Sequence, residues 1–218
     1  MNDLDPAPIG WFAIALSREL KPGSAKRGIL ATAPYSVRRS TYGELTSTGS
    51  ATALCERGGF VFAWHHPREE NPSFELPHLP EDGFTKPRFS LIHARSHPQE
   101  TYENSIDLAH FPIVHGYTDI RVLTPMQLRD HRMCAGYEIA RGVPFVNSPR
   151  KLRSQFQVNL HGIGFAHNQV HVPALGLNVR MLALSTPTVA GEVELRLGVS
   201  VQTEGLNWAT KLSLPAIV

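Results

Sequence analysis

Apolar and polar positions fall into three regimes along the chain. From Gly10 to Leu16 the residues are aromatic, aliphatic or small, which reads as a strand. Lys21-Pro22-Gly23-Ser24 is a turn signal, Arg27 to Leu30 and Tyr35 to Arg39 predict two short strands, and Thr41-Tyr42-Gly43-Glu44 is a second turn. Phe60 to Trp64 is a short apolar strand. From His66 to Lys86 prolines recur at Pro67, Pro72, Pro77 and Pro80, which predicts an irregular connection.

A helix is expected over Thr101 to Val114, and the third regime is strands. Candidates are Arg129 to Arg141, Ser154 to His161, Val170 to Val172, Leu177 to Thr186 and Glu192 to Gln202. In Ser154–His161, Phe156, Val158 and Leu160 share one face, and Gln155, Gln157 and Asn159 the other. The last two strands flank Ala190-Gly191 and read as an antiparallel hairpin. In its second arm Val193, Leu195, Leu197, Val199 and Val201 face in, while Glu192, Glu194, Arg196 and Ser200 face out. One polar face per strand predicts an antiparallel sheet covered on one side. Glu204 to Leu212 predicts the beginning of a helix. The expected fold class is α+β, an antiparallel sheet with helices.

Composition narrows the function classes. The chain has 218 residues, 42% hydrophobic, enough for one large domain or one domain with a small partner. Net charge is +2 with no basic stripe interleaved with aromatics, so no nucleic-acid partner is expected; Arg150-Lys151-Arg153 reads as a solvated turn. Cys55 and Cys134 form no disulfide framework, which fits a reducing cytoplasm. Asp3 and Asp5 argue against a secretory signal, and no apolar run reaches the roughly eighteen residues of a membrane span. A cytoplasmic protein is expected.

The chemistry concentrates in Glu103-Asn104-Ser105-Ile106-Asp107-Leu108-Ala109-His110-Phe111-Pro112-Ile113-Val114-His115-Gly116. A mononuclear oxygenase iron needs two imidazoles and one carboxylate on one side, with open positions opposite. His110 and His115 supply two such ligands. On a regular helix Asp107 and His110 share a face, whereas His110 and His115 diverge by about 140°. Pro112 removes a backbone donor and clashes with the preceding turn, so a kink or π-type bulge that brings the two imidazoles together is expected. Asn104 and Asp107 taken alone are also good helix-start residues. His65 and His66 point to opposite faces of a strand and are not expected to chelate.

Glu103-Asn104, Asp107, His110, His115 and Gly116 resemble the mononuclear-iron motif of the α subunits of Rieske non-haem iron oxygenases. Gly10-Trp11-Phe12-Ala13-Ile14-Ala15-Leu16, Glu19-Leu20-Lys21-Pro22-Gly23 and Gly59-Phe60-Val61-Phe62-Ala63-Trp64-His65-His66-Pro67 extend the resemblance, which is similar in detail to the steroid- and sterol-acting branch, the ketosteroid hydroxylases and cholesterol 7-desaturases. The resemblance implies a helix-grip-like catalytic domain preceded by a small β Rieske domain. It divides the chain into residues 1–66, a truncated Rieske-like β region, and 67–218, an incomplete mononuclear-iron domain. It implies Fe(II) held by His110 and His115, Asp107 bridging to the Rieske cluster of a neighbouring subunit, and Asn104 close to the metal. It also implies an apolar small-molecule substrate, a reductase or ferredoxin, and a homotrimer.

Two departures stand against it. A Rieske 2Fe-2S cluster takes its ligands from C-x-H and C-x-x-H. Here Arg57 and Gly58 stand two and three places after Cys55, and Met133-Cys134-Ala135-Gly136-Tyr137 contains no His. The family's iron carboxylate is an Asp after the last strands, and no Asp follows Asp130; Glu138, Glu192, Glu194 and Glu204 remain, and none is assigned. The expected function is a non-haem iron oxygenase hydroxylating or desaturating an apolar, steroid-like substrate. The alternative is a degenerate or fragmentary homologue that binds a hydrophobic ligand without catalysis.

Overall fold

Strand β1 (Gly10–Leu16) is buried on both faces, which explains its unbroken apolar run. Phe12 and Ile14 enter one core cluster; Trp11 and Ala13 enter a second. The computed structural model describes residues 4–80, 83–142 and 151–202. After β1 come β2 (Ala25–Leu30), β3 (Ala33–Arg39), β4 (Leu45–Gly49), β5 (Ala53–Arg57) and β6 (Phe60–His65). They form two three-stranded antiparallel sheets, β2-β3-β4 and β1-β6-β5. In β6, as in β1, alternate residues serve opposite cores: Val61 and Ala63 one, Phe60, Phe62 and Trp64 the other.

Among the described residues, the connection from His66 carries no strand until β7 (Arg88–Arg95). Then follow α1 (Pro98–Glu103), α2 (His110–His115), β8 (Thr118–Arg129), β9 (Arg132–Gly142), β10 (Lys151–His161), β11 (Phe165–Val172), β12 (Leu177–Pro187) and β13 (Glu192–Val201). The last six strands and β7 build one antiparallel sheet of order β7-β13-β12-β11-β10-β9-β8. The α+β reading holds, with antiparallel sheets dominant.

One face of this large sheet lies under α1 and α2, around Tyr102, Tyr137, Ile139, Val158 and Leu160. The other is covered by β1-β6-β5, whose Trp11, Phe62 and Trp64 pack with Phe165, Leu182 and Leu184. Gly164 sits at this junction, where a Cβ would run into the Trp11 carbonyl and the Phe12 ring.

The second cover corrects the expectation of a solvated polar face on β13. Arg196 is 7% and Ser200 3% exposed, while Leu195, Leu197 and Val199 are only half-buried. The Arg196 guanidinium donates to the Ala13 carbonyl at 2.8 Å and to the Glu194 carboxylate at 2.6 Å. A polar side chain is buried here because a bulge in β1 between Ala13 and Ala15 presents an acceptor to it.

Other expectations also shift. Arg129–Arg141 spans the end of β8, a turn at Asp130-His131 and β9; Asp130 takes φ 50°, which lets the chain reverse within two residues. The expected Val170–Val172 strand is the end of a longer one. The helix expected over Thr101–Val114 breaks into α1 and α2. The helix expected over Glu204–Leu212 lies outside the described residues.

Candidate metal centre

α1 opens on a capping arrangement. Pro98 occupies its first turn, the His97 ring accepts from the Gln99 N–H, and the Glu100 carboxylate accepts from the His97 N–H at 3.0 Å. It ends at Glu103, and exposed Asn104 follows it. The chain then turns, and the Asp107 carboxylate accepts from the Ala109 N–H at 2.9 Å. This holds the approach to α2, whose first residue, His110, donates its N–H to the Asp107 carbonyl at 3.2 Å.

α2 is six residues long, with His110 first and His115 last. Pro112 falls in its first turn, where a missing N–H costs no hydrogen bond. This corrects the expected bulge: Pro112 helps to start a helix and does not distort one. Gly116 closes the helix at φ 63°, with its N–H on the Pro112 carbonyl and the Tyr117 N–H on the Phe111 carbonyl, each at 3.2 Å.

The two imidazoles meet nevertheless. His110 Nε2 and His115 Nε2 are 2.9 Å apart, and the rings are 71° from coplanar. Without a metal, one nitrogen donates to the other. Two nitrogens each about 2.1 Å from one metal, at a right angle, are about 3.0 Å apart. The pair therefore fits adjacent positions on an octahedral ion. Burial, then His110, then Arg141 push the His115 imidazole below its ordinary range, which favours the neutral form that ligates.

The wall behind the pair is aromatic. Phe111 lies 6.2 Å from His110 and 5.9 Å from Tyr137; Tyr117 lies 5.6 Å from His115 and 6.1 Å from Phe156. The Arg141 guanidinium sits 5.9 Å from the Tyr117 ring centre. Sequence reading missed these residues. Tyr137 and Phe156 are directly opposed in the β9–β10 register, a relationship that hydrophobic alternation indicates only once the strands are paired.

Among the described residues no third His, Cys, Asp or Glu completes a metal group with the pair. Glu138 pairs with Arg153, Glu194 with Arg196, and Asp119 with Lys151. Glu204 lies outside the described residues. Asp107 keeps its carboxylate on the Ala109 N–H.

Neither cysteine fits a 2Fe-2S cluster. Cys55 is on β5 and Cys134 on β9, in different sheets. Burial pushes the Cys55 thiol up to about 11, away from the thiolate that iron requires. His65 and His66 are structural: the first contacts the Ser50 carbonyl at 3.2 Å, and the second accepts from the Arg68 and Glu70 N–H groups.

The fold is shared with solved oxygenases. Dicamba monooxygenase bound to dicamba superposes with TM-score 0.69 at 14% identity, over 89% of this chain and 77% of that one. Pseudomonas putida CBB5 NdmA with caffeine gives 0.61 at 12% identity, over 94% and 78%. The quaternary ammonium Rieske monooxygenase CntA gives 0.55 at 10% identity, over 93% and 72%. No curated protein sequence matches. Residues 63–214 match the family described as 3-Ketosteroid 9alpha-hydroxylase C-terminal domain. With 152 of 218 residues inside that match, the chain belongs to the 3-ketosteroid 9alpha-hydroxylase C-terminal domain family of Rieske-type oxygenase α subunits.

Proposed function

We propose that this chain carries the iron-holding, substrate-facing part of an oxygenase that acts on an apolar, steroid-like molecule. The observation that carries the reading is the 2.9 Å approach of His110 Nε2 and His115 Nε2 on a helix backed by an aromatic wall. His110 and His115 hold Fe(II), and the left-handed glycine cap at Gly116 fixes where His115 ends. Iron bound there supplies dioxygen activation. The residues of this chain supply placement: half-buried Phe111, Tyr117 and Phe156, packed edge-to-face around buried Tyr137, offer an apolar wall beside the imidazoles. The steroid class is supported by the family match at residues 63–214.

Asp107 and Asn104 belong to the proposed site by resemblance, Asp107 as the link to a neighbouring subunit's cluster and Asn104 as a neighbour of the metal. Both are exposed on the approach to α2, which suits a face met by another subunit. The proposed assembly is a trimer served by a reductase or ferredoxin. No step is assigned to a cluster held by this chain, because Cys55 and Cys134 do not fit one. The division into a Rieske-like region, 1–66, and a catalytic region, 67–218, is supported by the separate sheets and by the family match starting at residue 63. No helix among the described residues is long and apolar enough to cross a membrane. Two unpaired cysteines support a cytoplasmic setting.

The test is anaerobic calorimetric titration with Fe(II), alongside titration with a 3-ketosteroid. His110→Ala and His115→Ala should each remove metal binding, and exposed His93→Ala should leave it unchanged. Steroid binding that persists with no metal uptake by the unaltered chain would replace the oxygenase reading with that of a ligand-binding homologue.

A further inference from the structure

Strand β10 turns Phe156, Val158 and Leu160 toward α1 and α2, so Gln155 and Gln157 stand on the opposite face of the large sheet. Register carries that polar face across three strands. Gln155 is opposite His171, His171 is opposite Asn178, and Gln157 is opposite Gln169. Gln202 adjoins Asn178, donating its N–H to the Asn178 carbonyl at 2.9 Å. These residues line a cleft of about 530 Å3, with Phe84 at its side. That volume lies within the roughly 300–1,000 Å3 of small-ligand sites. Phe84 is held by its bridge to Gln202 and by the Arg180 guanidinium, whose carbon lies 4.1 Å from the ring centre.

The row His171, Asn178, Gln202 has a defined direction. Asn178 Nδ2 donates to Gln202 Oε1 at 2.8 Å, which leaves Asn178 Oδ1 on His171 Nδ1 at 2.7 Å. An amide oxygen carries no hydrogen, so the proton of the neutral ring lies on His171 Nδ1. His171 Nε2 is then an acceptor, in a ring whose orientation is fixed from behind. Gln155, Gln157 and Gln169 beside it are exposed, each with an amide oxygen and an NH2 group. The cleft therefore presents acceptors and donors side by side. A carboxylate or phosphate brings acceptors only and sets a lone pair against Nε2. An ammonium brings donors only and makes no use of the NH2 groups. A hydrocarbon meets neither. A hydroxyl both donates and accepts, and neighbouring hydroxyls repeat that pattern. Such a neutral ligand needs no electrostatic field from the cleft.

We infer that this cleft binds a neutral pyranose sugar. One hydroxyl donates to His171 Nε2, its neighbours are shared among the side-chain amides of Gln155, Gln157 and Gln169, and the C–H groups of the ring lie toward Phe84. The site is on the face turned away from His110 and His115 and does not depend on a metal there.

The experiment titrates the isotope-labelled chain with methyl glucopyranoside, methyl galactopyranoside and methyl mannopyranoside, followed by NMR. At least one of the three should give saturable shifts at the side-chain amides of Gln155, Gln157 and Gln169. Tetrahydropyran-2-methanol, the same ring stripped of its vicinal hydroxyls, should give none. The imidazole nitrogen spectrum should place the His171 proton on Nδ1. H171F, with its fold checked by circular dichroism, should bind about tenfold more weakly or worse. Q155A/Q157A, changed at two exposed positions, should weaken binding independently, and H110A/H115A should bind as the unaltered chain does. No saturable shift with any of the three sugars, equal shifts with tetrahydropyran-2-methanol, a His171 proton on Nε2, unchanged affinity in Q155A/Q157A or in folded H171F, or loss of binding in H110A/H115A would each overturn the inference.

Discussion

The Arg196 guanidinium reaches the Ala13 carbonyl at 2.8 Å across 183 positions of sequence, joining the outer face of the large sheet to the first strand of the chain. Thr186 Oγ1 donates to the same carbonyl at 2.7 Å. These two donors are the polar attachment within an otherwise apolar junction built on Trp11, Phe62, Trp64 and Leu184.

Replacing Arg196 by Met should therefore destabilise the chain by about 2 kcal/mol, because the Glu194 carboxylate loses its cation and Ala13 keeps one donor of two. The exposed Lys26–Glu19 pair is the control: Lys26→Met should cost less than about 1 kcal/mol. Urea unfolding of both variants measures the difference, and equal midpoints would show that the buried network contributes nothing special.

Acid should weaken the same junction. His161 and His167 stack with ring centres 5.6 Å apart, and His161 meets the Phe165 ring at 5.9 Å. His161 Nε2 and His167 Nδ1 are buried and find no hydrogen-bond partner. Burial first, then Arg132 and His131 for His161, and burial first, then His161, Arg180 and Arg132 for His167, push the two groups down to about 4. The unfolded chain, with ordinary values near 6.5, takes up protons that the folded chain refuses. This contribution to stability is complete above about pH 6.5 and is lost as pH falls from there toward 4. Urea midpoints between pH 7.5 and 4.5 should fall accordingly, and H161N/H167N should flatten the decline. An unchanged slope in the double variant would assign the acid sensitivity to other groups.

Gly116→Val should separate helix geometry from packing. A Cβ there meets nothing within 4 Å, so the penalty comes only from φ 63°. A β-branched residue in that conformation costs about 1–2 kcal/mol. The change should lower the melting temperature by a few degrees. It should also weaken Co(II) binding by about tenfold or more through displacement of His115. Binding that survives while the melting temperature falls would show that the imidazoles pair without the left-handed cap at Gly116.

Reconstitution with iron and sulfide should produce no stoichiometric Rieske-type visible or paramagnetic signal. The Cys55 thiol, raised to about 11, has Arg57 and Gly58 where imidazoles would stand, and Cys134 lies in another sheet. Such a signal at one cluster per chain would mean that the N-terminal region binds iron by a ligand set other than the family's.

Local order along the chain determined a good deal by itself. The apolar runs Gly10–Leu16 and Phe60–Trp64 announced strands, and the structure added that both faces of each are buried. The β12–β13 hairpin followed from alternation around Ala190-Gly191, and the His110–His115 spacing singled out the pair that the structure brings together. Tertiary structure decided the rest, because it depends on partners that local order does not name. Alternation marks Arg196 and Ser200 as polar but carries no information about a bulged strand arriving from the N-terminus with an acceptor. Pro112 reads equally as a helix breaker and as a first-turn residue until the caps on either side are placed. Tyr117, Tyr137, Phe156 and Arg141 gather at the histidines only through strand register, which sets the neighbours of residues far apart in the chain.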